Sequence, residues 1–133
     1  MRRQSILLVP LALLVAAPPL AAQKDVSPQK DIAMAQEYNF SVSEVKKESD
    51  LIAAIDKKIG QTTDLKEGCG LLAEKLDHLQ KSDALLDRMI YAGKELKRRK
   101  ETEAAQKQQA AVKKSIEIVK GDDERLCSVL KPG

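Results

Sequence analysis

The apolar residues of this chain recur at helical spacing, and no stretch alternates apolar and polar residues as a half-buried strand does. The clearest pattern predicts a helix from Val42 to Ile59. The residues on its apolar face are Val45, Ile52, Ile55 and Ile59. Because an apolar face must be covered, we expect this helix to pack against another part of the chain.

Residues around both ends of this segment favour the same bounds. Ser41 and Glu44 have the spacing of a capping box, and Phe40 and Val45 have that of a hydrophobic staple. Gly60 suits the left-handed residue that follows many helices. These signals predict that the helix starts after Ser41 and stops before Gly60.

The residues upstream of this helix are more polar. We expect residues 23–40 to be a leader, either flexible or a short helix that begins at Ser27-Pro28 and runs to about Tyr38. Residues 41–133 are then a single helical domain, a size typical of one small domain.

A second apolar stripe follows a glycine-rich segment. Residues 60–70 hold three glycines and predict a connection, with at most one helical turn begun by Asp64 and Glu67. The stripe consists of Leu72, Leu76, Leu79, Leu86 and Ile90, widened by Leu85, Met89 and Leu96. No Gly or Pro lies near Ser82 and Asp83, so we expect one helix to continue across them.

Residues 97–103 contain no apolar side chain and leave two alternatives open. Either one straight helix runs on to Lys120, or the chain reverses near Lys100. The two cysteines favour reversal, because an exported protein with two Cys usually pairs them. In an antiparallel hairpin that brings Cys69 to Cys127, the midpoint is residue 98, inside the segment that lacks apolar residues.

We therefore predict an all-α fold: a long antiparallel α-hairpin with one additional packed helix, closed by a Cys69–Cys127 disulfide. The arms are predicted at residues 71–99 and 102–130. Gly121 and Asp122 are expected to kink the second arm, with Asp122 capping a last short helix that carries Leu126 and Cys127. The second arm near Lys100 is rich in Ala, Gln and Lys, so we expect the hairpin to be softest there.

The first 22 residues have the pattern of a secretory signal peptide. Arg2 and Arg3 precede an apolar run too short to span a bilayer, and small residues up to Ala22 suit a cleavage site. Removing the signal lowers the formal net charge from +3 to +1. A near-neutral chain with 2% aromatic residues argues against nucleic acid as a partner. We expect an exported protein, periplasmic rather than secreted, with no transmembrane segment after cleavage.

Residues with catalytic chemistry are few. The sole histidine, His78, lies one helical turn from Glu74, and two ligands make a weak metal site. The cysteines have no redox or metal-binding spacing, and Gly68 and Gly70 fit a bend at the disulfide better than a phosphate loop. We expect no catalytic residues, no metal and no cofactor, and therefore a protein that is not an enzyme.

A basic cluster is the one candidate contact surface. It consists of Lys94, Lys97, Arg98, Arg99 and Lys100, and four successive cations would ring a helix. Such a ring can touch anionic lipid, an acidic protein or a cell-wall polymer, although a solvated turn whose charges stabilise the helix ends is the simpler interpretation. The sequence favours a chaperone-like or adaptor protein that acts by contact. An inhibitor or immunity-type protein that binds one enzyme and a small helical enzyme are the alternatives.

Overall fold

A computed structural model describes residues 29–130, which form three long helices packed around one hydrophobic core. The elements in chain order are α1 (Gln29–Gln61), α2 (Leu65–Glu95), α3 (Arg99–Cys127) and a short 3₁₀ helix (Ser128–Leu130). Helix α2 lies antiparallel to both α1 and α3 and packs against each along its length. It is therefore the central helix of the described fold.

The predicted all-α hairpin is confirmed. Cys69 on α2 and Cys127 on α3 form a disulfide, with their Cα atoms 5.9 Å apart. The chain reverses between Glu95 and Arg99, so the alternative of one straight helix through this region is wrong. Helix α1 is the predicted additional helix, and it packs on α2 as the arm of a second hairpin.

Helix α1 starts earlier than predicted, and the capping box at Ser41 is wrong. Ser41 is a fully buried residue inside the helix, and Glu44 pairs instead with Lys47 one turn on. The staple is also absent, since Phe40 is 52% exposed. The physical reason is tertiary burial: Tyr38, upstream of the supposed cap, is fully buried in the core and extends the helix toward Gln29.

The connection predicted for residues 60–70 is much shorter. Helix α1 continues through Gly60 to Gln61, and α2 begins at Leu65. Asp64 is the N-cap of α2, because its carboxylate accepts a hydrogen bond of 2.9 Å from the backbone N–H of Glu67. The helical turn suggested for Asp64 and Glu67 is thus the start of α2 itself, and Cys69 lies inside that helix.

The separate last helix predicted to begin at Asp122 is wrong, and Gly121 does not interrupt α3. Helix α3 runs unbroken to Cys127, and only the 3₁₀ helix follows it. Asp122 is buried and pairs with Arg125 rather than capping a helix. One exposed glycine costs a helix about 1 kcal/mol, too little to break one that is packed and cross-linked nearby. The predicted continuity across Ser82 is confirmed, and its hydroxyl donates to the His78 carbonyl.

The signal peptide predicted for residues 1–22 and residues 23–28 of the predicted leader lie outside the described residues. Of the predicted leader, residues 29–40 belong to α1.

Candidate functional site

The turn between α2 and α3 forms the tip of the bundle and carries the predicted basic cluster. The backbone N–H of Arg98 donates to the Gly93 carbonyl, and that of Lys97 donates to the Lys94 carbonyl, at 2.9 and 3.0 Å. This pair of bonds is a Schellman motif, which places the residue after the C-cap in the left-handed region. That residue is Lys97, with φ 56°, where glycine is usual.

A close approach of the two helices supports this turn. A Cβ atom added at Gly93 would overlap the hydroxyl oxygen of Thr102, which begins the second turn of α3. The Thr102 hydroxyl in turn donates to the Arg98 carbonyl at 2.7 Å. Gly93 and Thr102 therefore bring the ends of α2 and α3 close together at the turn.

An open cleft of about 500 Å³ lies beside this turn. The side chains that line it are all polar or charged: Lys94, Lys97, Arg98, Arg99, Thr102, Glu103 and Gln106, together with Gly93. Four of the five predicted cations thus meet on one cleft. Lys100 does not line it, and the expected ring around one helix is wrong because α2 ends at Glu95 and α3 begins only at Arg99.

Most of these cations have no carboxylate partner. Arg99 pairs with Glu103 at 3.2 Å, whereas no carboxylate of residues 29–130 lies within ion-pair distance of Lys94, Lys97 or Arg98. The N-cap of α3 is Arg98, which provides no side-chain acceptor, so the positive end of the α3 dipole adds to the local potential. The cleft is therefore a site of unneutralised positive charge.

His78 has a partner that the sequence did not indicate. Its Nδ1 lies 2.6 Å from Oε1 of Glu48 on α1, and both side chains are mostly buried between the helices. The neighbouring carboxylate Asp77 pairs instead with Lys81. Among residues 29–130 no three His, Cys, Asp or Glu side chains converge as metal ligands would.

A buried ion pair between α1 and α2 was also missed. Lys75 Nζ lies 2.7 Å from Asp56 Oδ1, and the Lys75 side chain is 2% exposed. Burial raises the pKa of the Asp56 carboxyl, and the Lys75 ammonium opposes that rise. Lys75 falls on the apolar stripe of α2 between Leu72 and Leu79, the one sequence signal that could have revealed it.

Near the tip, the outer side of α1 and α2 carries an aromatic contact. The Arg88 guanidinium lies 5.7 Å from the centroid of the Phe40 ring and pairs with Glu37 on α1. A shallow cleft beside Arg88 is lined by Met34 and the exposed Tyr91. These contacts join α1 to α2, and Arg88, unlike Lys94, Lys97 and Arg98, has a carboxylate partner.

Comparison with known protein families, with curated proteins and with solved structures finds no match for this chain. Within the described part of the chain, no helix is both long and apolar enough to cross a membrane.

Proposed function

We propose that this is an exported, non-enzymatic helical protein that acts as an adaptor, binding an anionic component of the cell envelope through its basic tip. The observation that carries the proposal is the cleft beside residues 97–99, where three cations have no carboxylate partner in residues 29–130. A protein gains little stability from unpaired surface cations, but such cations attract and orient an anionic partner.

The position of the tip supports the same role. It lies at the far end of α2 from the disulfide, roughly 40 Å away for a helix of this length. The disulfide and the signal-like N-terminal sequence are both compatible with an oxidising compartment outside the cytoplasm. A contact surface at the end of a cross-linked rod can reach a partner without unfolding the rest.

The cleft favours an adaptor over a chaperone-like protein. Holding an unfolded chain needs accessible apolar surface, and the lining of this cleft has no apolar side chain. The large apolar residues that are exposed lie outside this cleft: Ile32, Phe40 and Leu51 on α1, Tyr91 on α2, and the adjacent Val129 and Leu130 in the 3₁₀ helix.

Capture from envelope extract tests the proposal. The bait is the oxidised protein, compared with a tip variant that carries Lys94→Gln, Lys97→Gln and Arg98→Gln. The matched control carries Lys57→Gln, Lys58→Gln and Lys66→Gln, which removes the same charge from exposed positions near the disulfide end. We expect a specific component to be retained by the wild type and the control but lost by the tip variant.

Four results would overturn the proposal. Equal capture by the tip variant removes the tip as the contact surface. Stoichiometric inhibition of one captured enzyme assigns the protein instead to the inhibitor class. Suppression of the aggregation of unrelated unfolded proteins, undiminished in the tip variant, assigns the chaperone-like function. Loss of a biological phenotype on His78→Gln, with the fold intact, would point to catalysis.

A further inference from the structure

We infer that the tip cleft binds a hydrophilic ligand bearing two phosphate groups, a chemistry found both in free diphosphate compounds and in phosphorylated lipid headgroups. The inference rests on the proposed function only in that the same cleft makes the contact. It adds the chemical class of the ligand, which follows from the charge, polarity and size of the cleft.

Charge is the first argument. The cleft is lined by four cations and by the single carboxylate of Glu103, a formal charge of +3. A phosphate monoester carries about −1.5 to −2 at neutral pH, so two phosphate groups match this charge. A carboxylate carries at most one charge, and several would have to converge from an acidic peptide to achieve the same neutralisation.

Polarity is the second argument, and it separates phosphate from an acidic protein surface. Protein partners bury apolar or aromatic side chains at the centre of an interface. No aliphatic or aromatic side chain lines the cleft to receive them, and the apolar surface that it exposes belongs to Gly93 and to the stems of its charged and polar side chains. Arg98 and Arg99 present forked donors that suit phosphate oxygens, and Lys94 and Lys97 add point charges around them.

Size and backbone geometry are the third argument. A cleft of about 500 Å³ falls in the range of small-molecule sites, with room for more than one phosphate group. The Schellman turn and the close approach of Gly93 to Thr102 set the positions from which the lining side chains extend. Lys97 occupies a left-handed backbone position in which glycine would cost less conformational free energy. Strained backbone positions of this kind cluster at binding and active sites.

Titration calorimetry with inorganic diphosphate at low ionic strength tests the inference. We expect saturable one-to-one binding that is weakened about tenfold or more by Lys94→Gln with Arg98→Gln, the loss of two charge-assisted contacts. Lys57→Gln with Lys58→Gln removes the same net charge and should leave the affinity within about twofold. Circular dichroism of the variants checks that each remains helical.

A second arm identifies the source of the phosphate. Phosphatidylcholine vesicles containing phosphatidic acid present a clustered phosphomonoester, and vesicles with phosphatidylglycerol present a phosphodiester. Vesicle binding that diphosphate displaces supports a lipid headgroup, whereas diphosphate binding without vesicle binding supports a free ligand. Either interpretation also requires that the tip variant lose the binding that the wild type shows.

The inference and the proposed function can fail separately. Absence of saturable diphosphate binding, or equal weakening by the tip pair and the control pair, overturns the phosphate assignment. In that case the wild type can still capture an acidic protein from envelope extract that the tip variant does not capture and that diphosphate does not displace. The proposed function then stands without the phosphate assignment.

Discussion

Helices α2 and α3 meet through different residues at their two ends. Near the disulfide the core is built from large aliphatic side chains, among them Leu72 of α2 and Val119 of α3, with Ile59 of α1 beside them. At the tip, Gly93 of α2 closely approaches Thr102 of α3, and the buried apolar residues nearest the turn are Ala92 and Ala105. Since stabilisation follows the apolar area buried, the disulfide end contributes most to the α2–α3 interface.

The difference separates two tasks. Small residues at the tip let the helices approach closely and hold a tight turn, but they bury little area. The tip also carries the cations that have no carboxylate partner in residues 29–130. Unpaired surface cations add little to the stability of the fold. We therefore expect changes at the disulfide end to alter stability, and changes at the tip to alter binding with smaller effects on stability.

Removing the disulfide should have the largest effect. Cys69→Ser with Cys127→Ser frees a loop with a sequence separation of 58 residues, which in the chain-entropy model lowers the free energy of unfolding by about 4 kcal/mol. Urea unfolding of the variant beside the oxidised wild type measures this. A loss under about 1 kcal/mol would mean that the packed aliphatic residues alone hold this end together.

Breaking the buried ion pair should come next. Lys75→Met leaves the Asp56 carboxylate buried without its ammonium, and we expect the free energy of unfolding to fall by about 3 kcal/mol at neutral pH. Burial raises the pKa of Asp56, so the folded state holds its proton more tightly than the unfolded chain. Stability linked to Asp56 is therefore greatest below its ordinary pKa of 3.8 and is lost as pH rises through the folded-state pKa.

The double variant Lys75→Met with Asp56→Leu is the control for this pair. It removes both charges and should recover most of the lost stability in unfolding experiments at several pH values. The loss in Lys75→Met alone should shrink as the pH is lowered. A loss that is independent of pH would show that packing of the lysine stem, and not the stranded carboxylate, is responsible.

Filling the close approach at the tip should have a moderate effect. Gly93→Ala forces a methyl group onto the Thr102 hydroxyl, and we expect a loss of about 1 to 3 kcal/mol. Gly121→Ala is the matched control, because open space surrounds Gly121 in the same helical conformation. It should increase the free energy of unfolding by about 1 kcal/mol and so raise the melting temperature. Thermal unfolding in which both variants behave alike would contradict the close approach.

Relieving the left-handed backbone should have the smallest effect on stability and the opposite sign. Lys97→Gly removes the cost of a side chain at φ 56° and should stabilise the protein by roughly 0.5 to 1 kcal/mol in urea unfolding. Because the same change removes a cation from the cleft, it should weaken binding. Unchanged affinity with increased stability would separate Lys97 from the contact surface.

The hairpin was predictable because local and distant signals agreed. A segment without apolar residues lay midway between two cysteines, and only a reversal satisfies both. The start of α1 was not predictable in this way. Ser41 and Glu44 carry a strong local capping signal, yet burial of Tyr38 outweighs it, and burial depends on helices that lie far along the chain.

The candidate site was predictable in composition but not in geometry. The sequence identified the five cations. It could not distinguish a ring around one helix from a cleft beside a turn, because both arrangements use the same residues in the same order. Their arrangement depends on Lys97 adopting a left-handed backbone and on Gly93 meeting Thr102. Pairs such as His78 with Glu48 are set by the register of two helices, which single-helix patterns do not reveal.

Amide hydrogen exchange, with and without inorganic diphosphate, tests the division between the two ends most directly. The account predicts slow exchange around Leu72 and Val119, faster exchange from Gly93 to Thr102, and slowing by diphosphate confined to this second region. Uniform protection along α2 and α3, or a diphosphate effect centred near the disulfide, would contradict it.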